Sequence, residues 1–563
     1  MEFSVNDILV VPYGDIAMHI SYITIVNENM EGILMKKRWS LWLALAMMLV
    51  FMLQGTVLAA GQNVTISHCL IQGKDIVVIA AGPVAASDTG LYYLFELKPH
   101  EAGIGARVDF CASAPAAEAV QFTTPLNFNT ATSKLYSRFV VAAYQGGVFV
   151  PVSNEMYITN PEALATKATG YPIRSKKGLT ADWQYASDLS ALGAGYAAYE
   201  LDISRFFTAG GVNYTYNGKN YSFNGGVVAE YDAVCQLLSK EGVNVVMVIK
   251  NSFNAATADL VPPLTRIPGK NCYAMNVSEQ AASEKIAALM SFLANRYSGS
   301  KGTIHTWIIG NEINNNSPWH YAGDMGVEQF TAYYAKEFRL CYNAIKSQNS
   351  GARVFLNIDQ RWTHTDSNPH AYAGRTVLDT FAANIKATGD IDWGLSIHPH
   401  PVPLFNCQFW NLPPAYAAMK LVTHADNSKM VCPSNVDVIT NHMIQPQLLK
   451  ADGSHRHILI SEMGFTSQNA QIATDQNMQA AAMQYAYKLT ASNPFIEGVI
   501  IHRQLDHMSE VVHDGMAVGI RDVNGTPKVA FEIFRYMDTN NPAYANFALP
   551  YIGATSWADL GLQ

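Results

Sequence analysis

The chain has no Cys-x-x-Cys and no His-Glu-x-x-His spacing, so it carries neither of the compact motifs that announce a zinc centre or a dithiol pair. No Gly-rich phosphate loop follows an early strand pattern, which removes the usual mark of a doubly wound nucleotide-binding sheet. Charge is sparse: 15% of residues are charged, and a net charge of −8 is spread over 563 residues. Nucleic-acid binders and polybasic membrane-surface proteins need concentrated positive charge, so both classes are excluded. Seven cysteines cannot all pair within one exported chain, although Cys69 with Cys111 and Cys407 with Cys432 are conceivable bridges. What the chain does have is apolar content, 49% hydrophobic with 11% aromatic, the composition of a globular protein.

Near the N-terminus, Met35-Lys36-Lys37-Arg38 is a basic start, followed by the apolar run Leu41 to Leu53 and the small residues Ala59 and Ala60. Charge, length and cleavage chemistry match a signal peptide over 35–60, with 1–34 an upstream extension. The run is too short for a comfortable membrane span. The reading is therefore a secreted or cell-surface, extracytoplasmic protein, with no stable membrane insertion after signal cleavage.

Residues 63–160 show strand-like runs at 64–70, 75–81, 91–97 and 138–144, separated by turn residues, and little helical periodicity; they predict a small all-β sandwich. From 171 the pattern alternates. Apolar strand candidates at 176–179, 193–203, 243–251, 303–312, 353–358, 392–400, 457–465 and 498–504 are separated by amphipathic helices, one of them starting after a possible N-cap at Thr474. Eight such strands predict an α/β fold, a closed (β/α)₈ barrel over 171–540. Insertions at 208–226, read as a β-hairpin, and at 401–450 follow strand C-terminal ends, where barrel loops build the active face. Residues 541–563 are expected to dock as a tail.

Two apolar strands end in glutamate: Trp307-Ile308-Ile309-Gly310-Asn311-Glu312 and Ile458-Leu459-Ile460-Ser461-Glu462. A carboxylate closing a buried strand is expensive unless a site solvates or pairs it. Two of them, on the fourth and seventh strands, suit cleavage of a glycosidic bond, in which one carboxyl protonates the leaving oxygen and the other attacks carbon or activates water. The segments "WIIGNEI" and "ILISEMGF" resemble the strand-four and strand-seven motifs of clan A glycoside hydrolases. With "HRQLDH" and "GIRDVNGTPKVAFEIF", the chain is also similar to a secreted bacterial family of that clan, the domain of unknown function 5722. The resemblance implies that Glu312 is the acid/base, Glu462 the nucleophile of a retaining mechanism, and Asn311 the partner of the sugar 2-hydroxyl. It also implies carboxyl groups about 5–5.5 Å apart. His398 or His400 matches the clan's strand-six residue near the nucleophile. An arginine that many members carry on strand two has no direct match, and Arg205 is the nearest substitute.

Further candidates to meet the sugar are Lys250, Asn251, Trp319, His502 and Arg503, all at or beyond strand ends, with Asp359, Arg361, Trp362 and Trp410 as weaker ones. The partner is thus a carbohydrate, and the chemistry requires no metal and no cofactor. The competing readings are a non-catalytic carbohydrate-binding surface protein on a degenerate barrel, and a transglycosylase using the same two glutamates.

Overall fold

A computed structural model describes residues 64–562, apart from 173, 366, 367 and 369. The expected signal peptide and upstream extension lie outside the described residues. Among the described residues no helix is long and apolar enough to cross a membrane.

Eight parallel strands close into a barrel. In chain order they are Lys177–Thr180, Tyr196–Asp202, Asn244–Lys250, Thr306–Ile309, Arg353–Asp359, Trp393–His398, Ile458–Gly464 and Ile496–His502. Each pairs with the next, and the eighth pairs back onto the first. The third strand, NVVMVIK, shows why the pattern was readable: all but its last residue are buried. A strand covered on one side by the barrel interior and on the other by helices has no face to give to polar residues. Alternation still sorts the side chains. Tyr196, Ala198, Val246, Val248, Ile308, Phe355, Leu459 and Ile500 fill the interior, while neighbours such as Val245, Met247, Trp307 and Ile309 pack outward against the helices.

The helices use the stripes expected of them. Gln280–Arg296 buries Ile286, Leu289, Met290 and Leu293, and Val327–Lys346 buries Phe330, Tyr334, Phe338, Cys341 and Ile345. Helix Gln476–Ala491 is capped by Asp475, whose Oδ1 accepts from the Met478 N–H at 2.8 Å, and not by Thr474. Thr474 instead donates to the Thr466 carbonyl.

Ahead of the barrel, a three-stranded antiparallel sheet (Thr65–Gln72, Asp75–Ala81, Ala119–Pro125) faces a second antiparallel sheet built on Leu91–Leu97 and Arg138–Gln145. Ile66, Cys69, Ile76, Val78 and Phe122 from the first share one core with Tyr92, Leu94, Phe139 and Val141 from the second. This pair of sheets docks on the barrel through helix Val327–Lys346, where the Asn343 amide donates to the Leu135 carbonyl at 2.9 Å. The hairpin of Gly211–Tyr216 and Lys219–Asn224 forms as expected but does not line the cleft. It packs sideways: Tyr214 meets Ser291 at 3.1 Å, Tyr216 meets Tyr136 at 2.5 Å, and the Asn217 N–H donates to Asn129 at 2.8 Å. Its apolar and aromatic residues are better covered between barrel helix and β-domain than at a solvated rim.

All seven cysteines are free. Cys69 is fully buried in the sandwich core, and Cys407 donates its thiol hydrogen to the Thr466 carbonyl at 2.9 Å. Neither conceivable bridge forms. The C-terminal residues pack on helix Gln476–Ala491, whose Gln484 donates to the Tyr544 carbonyl and accepts from the Ala548 N–H, both at 2.8 Å.

At the base of strand four, burial holds the His305 imidazole pKa down at about 4, and its Nδ1 accepts from the Val245 N–H at 3.0 Å. The unfolded chain binds that proton near pH 6.5, so the unfolded state gains on acidification. Stability from this group is complete above pH 6.5 and is lost as pH falls to about 4, a change of about 3 kcal/mol. Thermal melts across that window should show a shallower acid limb for His305→Gln than for the parent; identical limbs would refute the assignment.

Candidate active site

The C-terminal ends of the strands open into a cleft of about 940 Å³ lined by Asn311, Glu312, Trp319, His400, Glu462 and His502, among others. Both strand-terminal glutamates therefore reach the same space, by two local devices. After strand four, Gly310 has φ +81°, and a Cβ there would lie 2.7 Å from His320 Nδ1, so only glycine fits. Glu312 itself has φ +43°, an unfavourable conformation for a side chain of its size, of the kind that concentrates at functional sites. On strand seven, Leu459 points inward while Ile458 and Ile460 point outward, and strict alternation would send residue 462 outward too. A bulge intervenes: Ile460 pairs with Val499 but Met463 with Ile501, three residues against two. The extra residue lets Ser461 and Glu462 both face the interior.

Three imidazoles surround Glu462. His400 Nε2 lies 3.3 Å from its Oε1 and His502 Nδ1 3.6 Å from its Oε2, while His398 acts from farther away. The Gly464 N–H points at His400 Nδ1 at 3.4 Å, which leaves Nε2 to carry the hydrogen toward the carboxylate. Burial alone would raise the Glu462 pKa, but the fields of His502, His398 and His400 outweigh it and hold the carboxyl well below the ordinary range.

Glu312 has different company. Its Oε1 lies 2.9 Å from His398 Nδ1, and its own N–H donates to Asn357 Oδ1 at 2.6 Å. His398 is buried beneath the cleft rather than lining it. Burial opposes its charge, yet Glu462 and Glu312 prevail and raise its pKa. Asp359, on strand five, is pushed up by burial and by Glu312, against the pull of its partner Arg361.

The other expected residues divide. Asn311 lines the cleft, and among the described residues its side chain has no hydrogen-bond partner. Lys250 and Trp319 line it together, with the ammonium 5.7 Å from the indole ring centroid and paired to Glu200. Arg503 lines it and pairs with Glu510 at 2.8 Å; Asp506 pairs elsewhere, with Lys528. Asn251, expected at the cleft, is instead fully buried: it donates to the Leu260 and Ala274 carbonyls, holds a loop and does not line the cleft. Arg205 is not bound to Glu462, since both its terminal nitrogens are bound to Glu230 at 2.9 and 2.6 Å. Trp362 is buried with its indole N–H on the Asp426 carbonyl, and Trp410 packs on Phe409 and Tyr485. Trp183, which carried no signal in the sequence, is an aromatic ring 53% exposed at the cleft edge.

Glu312, His398 and His400 offer ligand atoms within 4.8 Å of one another, the one such group among the described residues. Those atoms are already engaged with each other, with Ser461 and with Glu462, an arrangement suited to sharing protons.

A family model described as "Family of unknown function (DUF5722)" matches residues 170–560. No curated protein matches the chain. Solved structures similar to it include a family 39 glycoside hydrolase from Bacteroides cellulosilyticus WH2, at 12% identity and a TM-score of 0.44, covering 84% of this chain and 79% of that one. A β-glucuronidase from Ruminococcus gnavus matches at 11% and 0.35, covering 84% and 68%. A family 2 β-galacturonidase from Eisenbergiella tayi matches at 12% and 0.35, covering 84% and 72%.

Proposed function

The chain belongs to the family of unknown function DUF5722, and because that membership specifies no reaction, we propose from the chemistry of the site that the protein is a retaining glycoside hydrolase acting on a β-linked oligo- or polysaccharide. The observation that carries this reading is the meeting of two strand-terminal carboxyls in one open cleft in unlike surroundings. Glu462 is kept ionised by three imidazoles, as an attacking group must be. Glu312 engages a single imidazole through Oε1 and leaves Oε2 to the cleft. Two carboxyls with separated environments are how one site supplies both nucleophile and acid.

In the first half-reaction Glu462 bonds to the anomeric carbon as the glycosidic C–O bond breaks, and the leaving oxygen takes the proton of Glu312. In the second, Glu312 removes a proton from water, the water oxygen bonds to the anomeric carbon, and the ester to Glu462 breaks. Asn311, with its amide uncommitted, is placed to meet a sugar hydroxyl. The basic start and apolar run of Met35 to Leu53 support a substrate met outside the cytoplasm.

Cleft charge narrows the glycan. Every Lys or Arg lining it is already committed: Lys250 to Glu200, Arg205 to Glu230, Arg361 to Asp359 and Arg503 to Glu510. Glu462, Asp182, Asp202 and Asp514 add negative charge without a Lys or Arg partner. A sugar carboxylate about 8 Å from one uncompensated charge, at an effective dielectric constant of about 20, costs about 2 kcal/mol, roughly thirty-fold in rate. Purified protein incubated with neutral and uronic β-glycans should cleave the neutral ones faster by about that factor. Proton NMR of the first-formed product should show the β anomer. An α anomer first would mean inversion, and no cleavage of any glycan would sink the hydrolase reading.

A further inference from the structure

Beneath the cleft lies a set of buried polar side chains that the double displacement does not itself use: Asn357, Ser396 and Ser461. They occupy the interior layer one step above Phe355 and Leu459, where a barrel would ordinarily place apolar residues. Each needs a partner for every hydrogen, and that requirement fixes every hydrogen position. The Glu312 N–H can only donate, so Asn357 Oδ1 accepts from it at 2.6 Å. Asn357 Nδ2 therefore donates, to Ser396 Oγ at 2.9 Å and more weakly to Ser461 Oγ at 3.4 Å. Among the described residues the hydroxyl hydrogen of Ser396 has one acceptor, Ser461 Oγ at 2.5 Å. Ser461 in turn has one acceptor left, His398 Nε2 at 3.0 Å. With Nε2 accepting, the imidazole hydrogen is on Nδ1 and is donated to Glu312 Oε1 at 2.9 Å. The circuit begins at the backbone N–H of Glu312 and ends on its carboxyl.

We propose that this one-way circuit locks His398 as the Nδ1–H tautomer and so places the transferable proton of Glu312 on Oε2, facing the cleft. Ser461 and Ser396 are then positioning residues for the acid. A proton on His398 Nε2 would require both hydroxyls to turn round and would leave the Ser396 hydrogen facing only the Asn357 amide hydrogens. The charged and titratable groups around His398 are Glu312 from strand four, Asp359 from strand five, His400 beyond strand six and Glu462 from strand seven. The three carboxyls favour a second proton, which would sit on Nε2; burial of the ring and the Ser461 hydroxyl, which offers its own hydrogen to Nε2, oppose it. The catalytic consequence rests on Glu312 being the acid; the tautomer does not.

The test is long-range proton–nitrogen NMR on the full chain labelled with ¹⁵N-histidine, with His398 assigned by its loss in His398→Asn. The parent should show a protonated Nδ1 and a bare Nε2 at neutral pH. Ser461→Ala should move the hydrogen wholly or partly to Nε2, and Ser461→Thr, which keeps the hydroxyl, should restore the parental spectrum. In parallel, Ser461→Ala should lose about tenfold in kcat/KM on substrates with poor leaving groups, part of the roughly 10²–10⁴-fold that a positioned acid supplies, and little on activated aryl glycosides. A parent with Nε2 protonated overturns the proposal, as does a Ser461→Ala spectrum identical to the parent's. The expected tautomers in a protein that cleaves no glycan would leave the circuit standing and refute the hydrolase reading instead.

Discussion

Glu462→Gly should lower turnover of any glycan substrate by on the order of 10⁵-fold, the scale seen when a covalent nucleophile is removed. The substitution deletes the carboxylate proposed to bond to the anomeric carbon and leaves His400, His502 and His398 around the gap. Azide added at high concentration should enter that gap and attack in place of the carboxylate. The product is a glycosyl azide of inverted configuration, identified by NMR, formed fastest from substrates with good leaving groups. Persistent parental turnover of the natural glycan, or a glycosyl azide of retained configuration, would exclude Glu462 as the nucleophile. The same residue affects stability. Its depressed pKa means that its contribution is complete above the unfolded carboxyl value of about 4.5 and is lost only as pH falls through the native value. The glycine variant should therefore be less stable than the parent near neutral pH and should converge with it under strong acid.

Glu312→Gln should separate substrates by leaving group. A glycan alkoxide leaves only when protonated, so its hydrolysis should fall by roughly 10²–10⁴-fold. A dinitrophenyl glycoside leaves without help, and its cleavage should fall by less than about tenfold. The amide can still turn its oxygen to His398 Nδ1, where Oε1 accepts now, so the fold around strand four should survive, as a melting curve would show. Equal losses on both substrates would argue that Glu312 acts in binding or structure rather than as a proton donor.

The barrel was legible because parallel strands buried on both faces must be written in uninterrupted apolar residues, as in Asn244–Lys250. The glutamates were legible for the converse reason. A carboxylate at the end of such a run is conspicuous, and Glu312 and Glu462 do reach one cleft. What could not be read was direction. Alternation alone points residue 462 outward, and only the bulge opposite Val499 and Ile501 turns it inward. Asn251 and Arg205 stand at plausible distances from strand ends, yet one is taken up by carbonyls of its own loop and the other by Glu230. The hairpin after strand two lies against barrel helix and β-domain together, because Tyr214 finds Phe292 on helix Gln280–Arg296 and Tyr216 finds the Tyr136 hydroxyl in the β-domain. Ser396, Ser461 and Asn357 carried a signal that went unused: polar residues at period two, continuing the interior row of an otherwise apolar barrel.

Composition, strand periodicity and two strand-terminal carboxylates are properties of neighbouring residues along the chain, and they were enough for the architecture and for the residues of the candidate pair. Which imidazole faces which carboxylate, which cation is already spent, and which way a hydrogen points are properties of residues far apart in order, such as Glu312 and His398, 86 positions apart. Hydrogen bonds form only within about 3 Å, and Coulomb interactions weaken with every added ångström of separation. Only closure of the barrel, which brings strands four to seven side by side, sets those distances and so the chemistry the site can support.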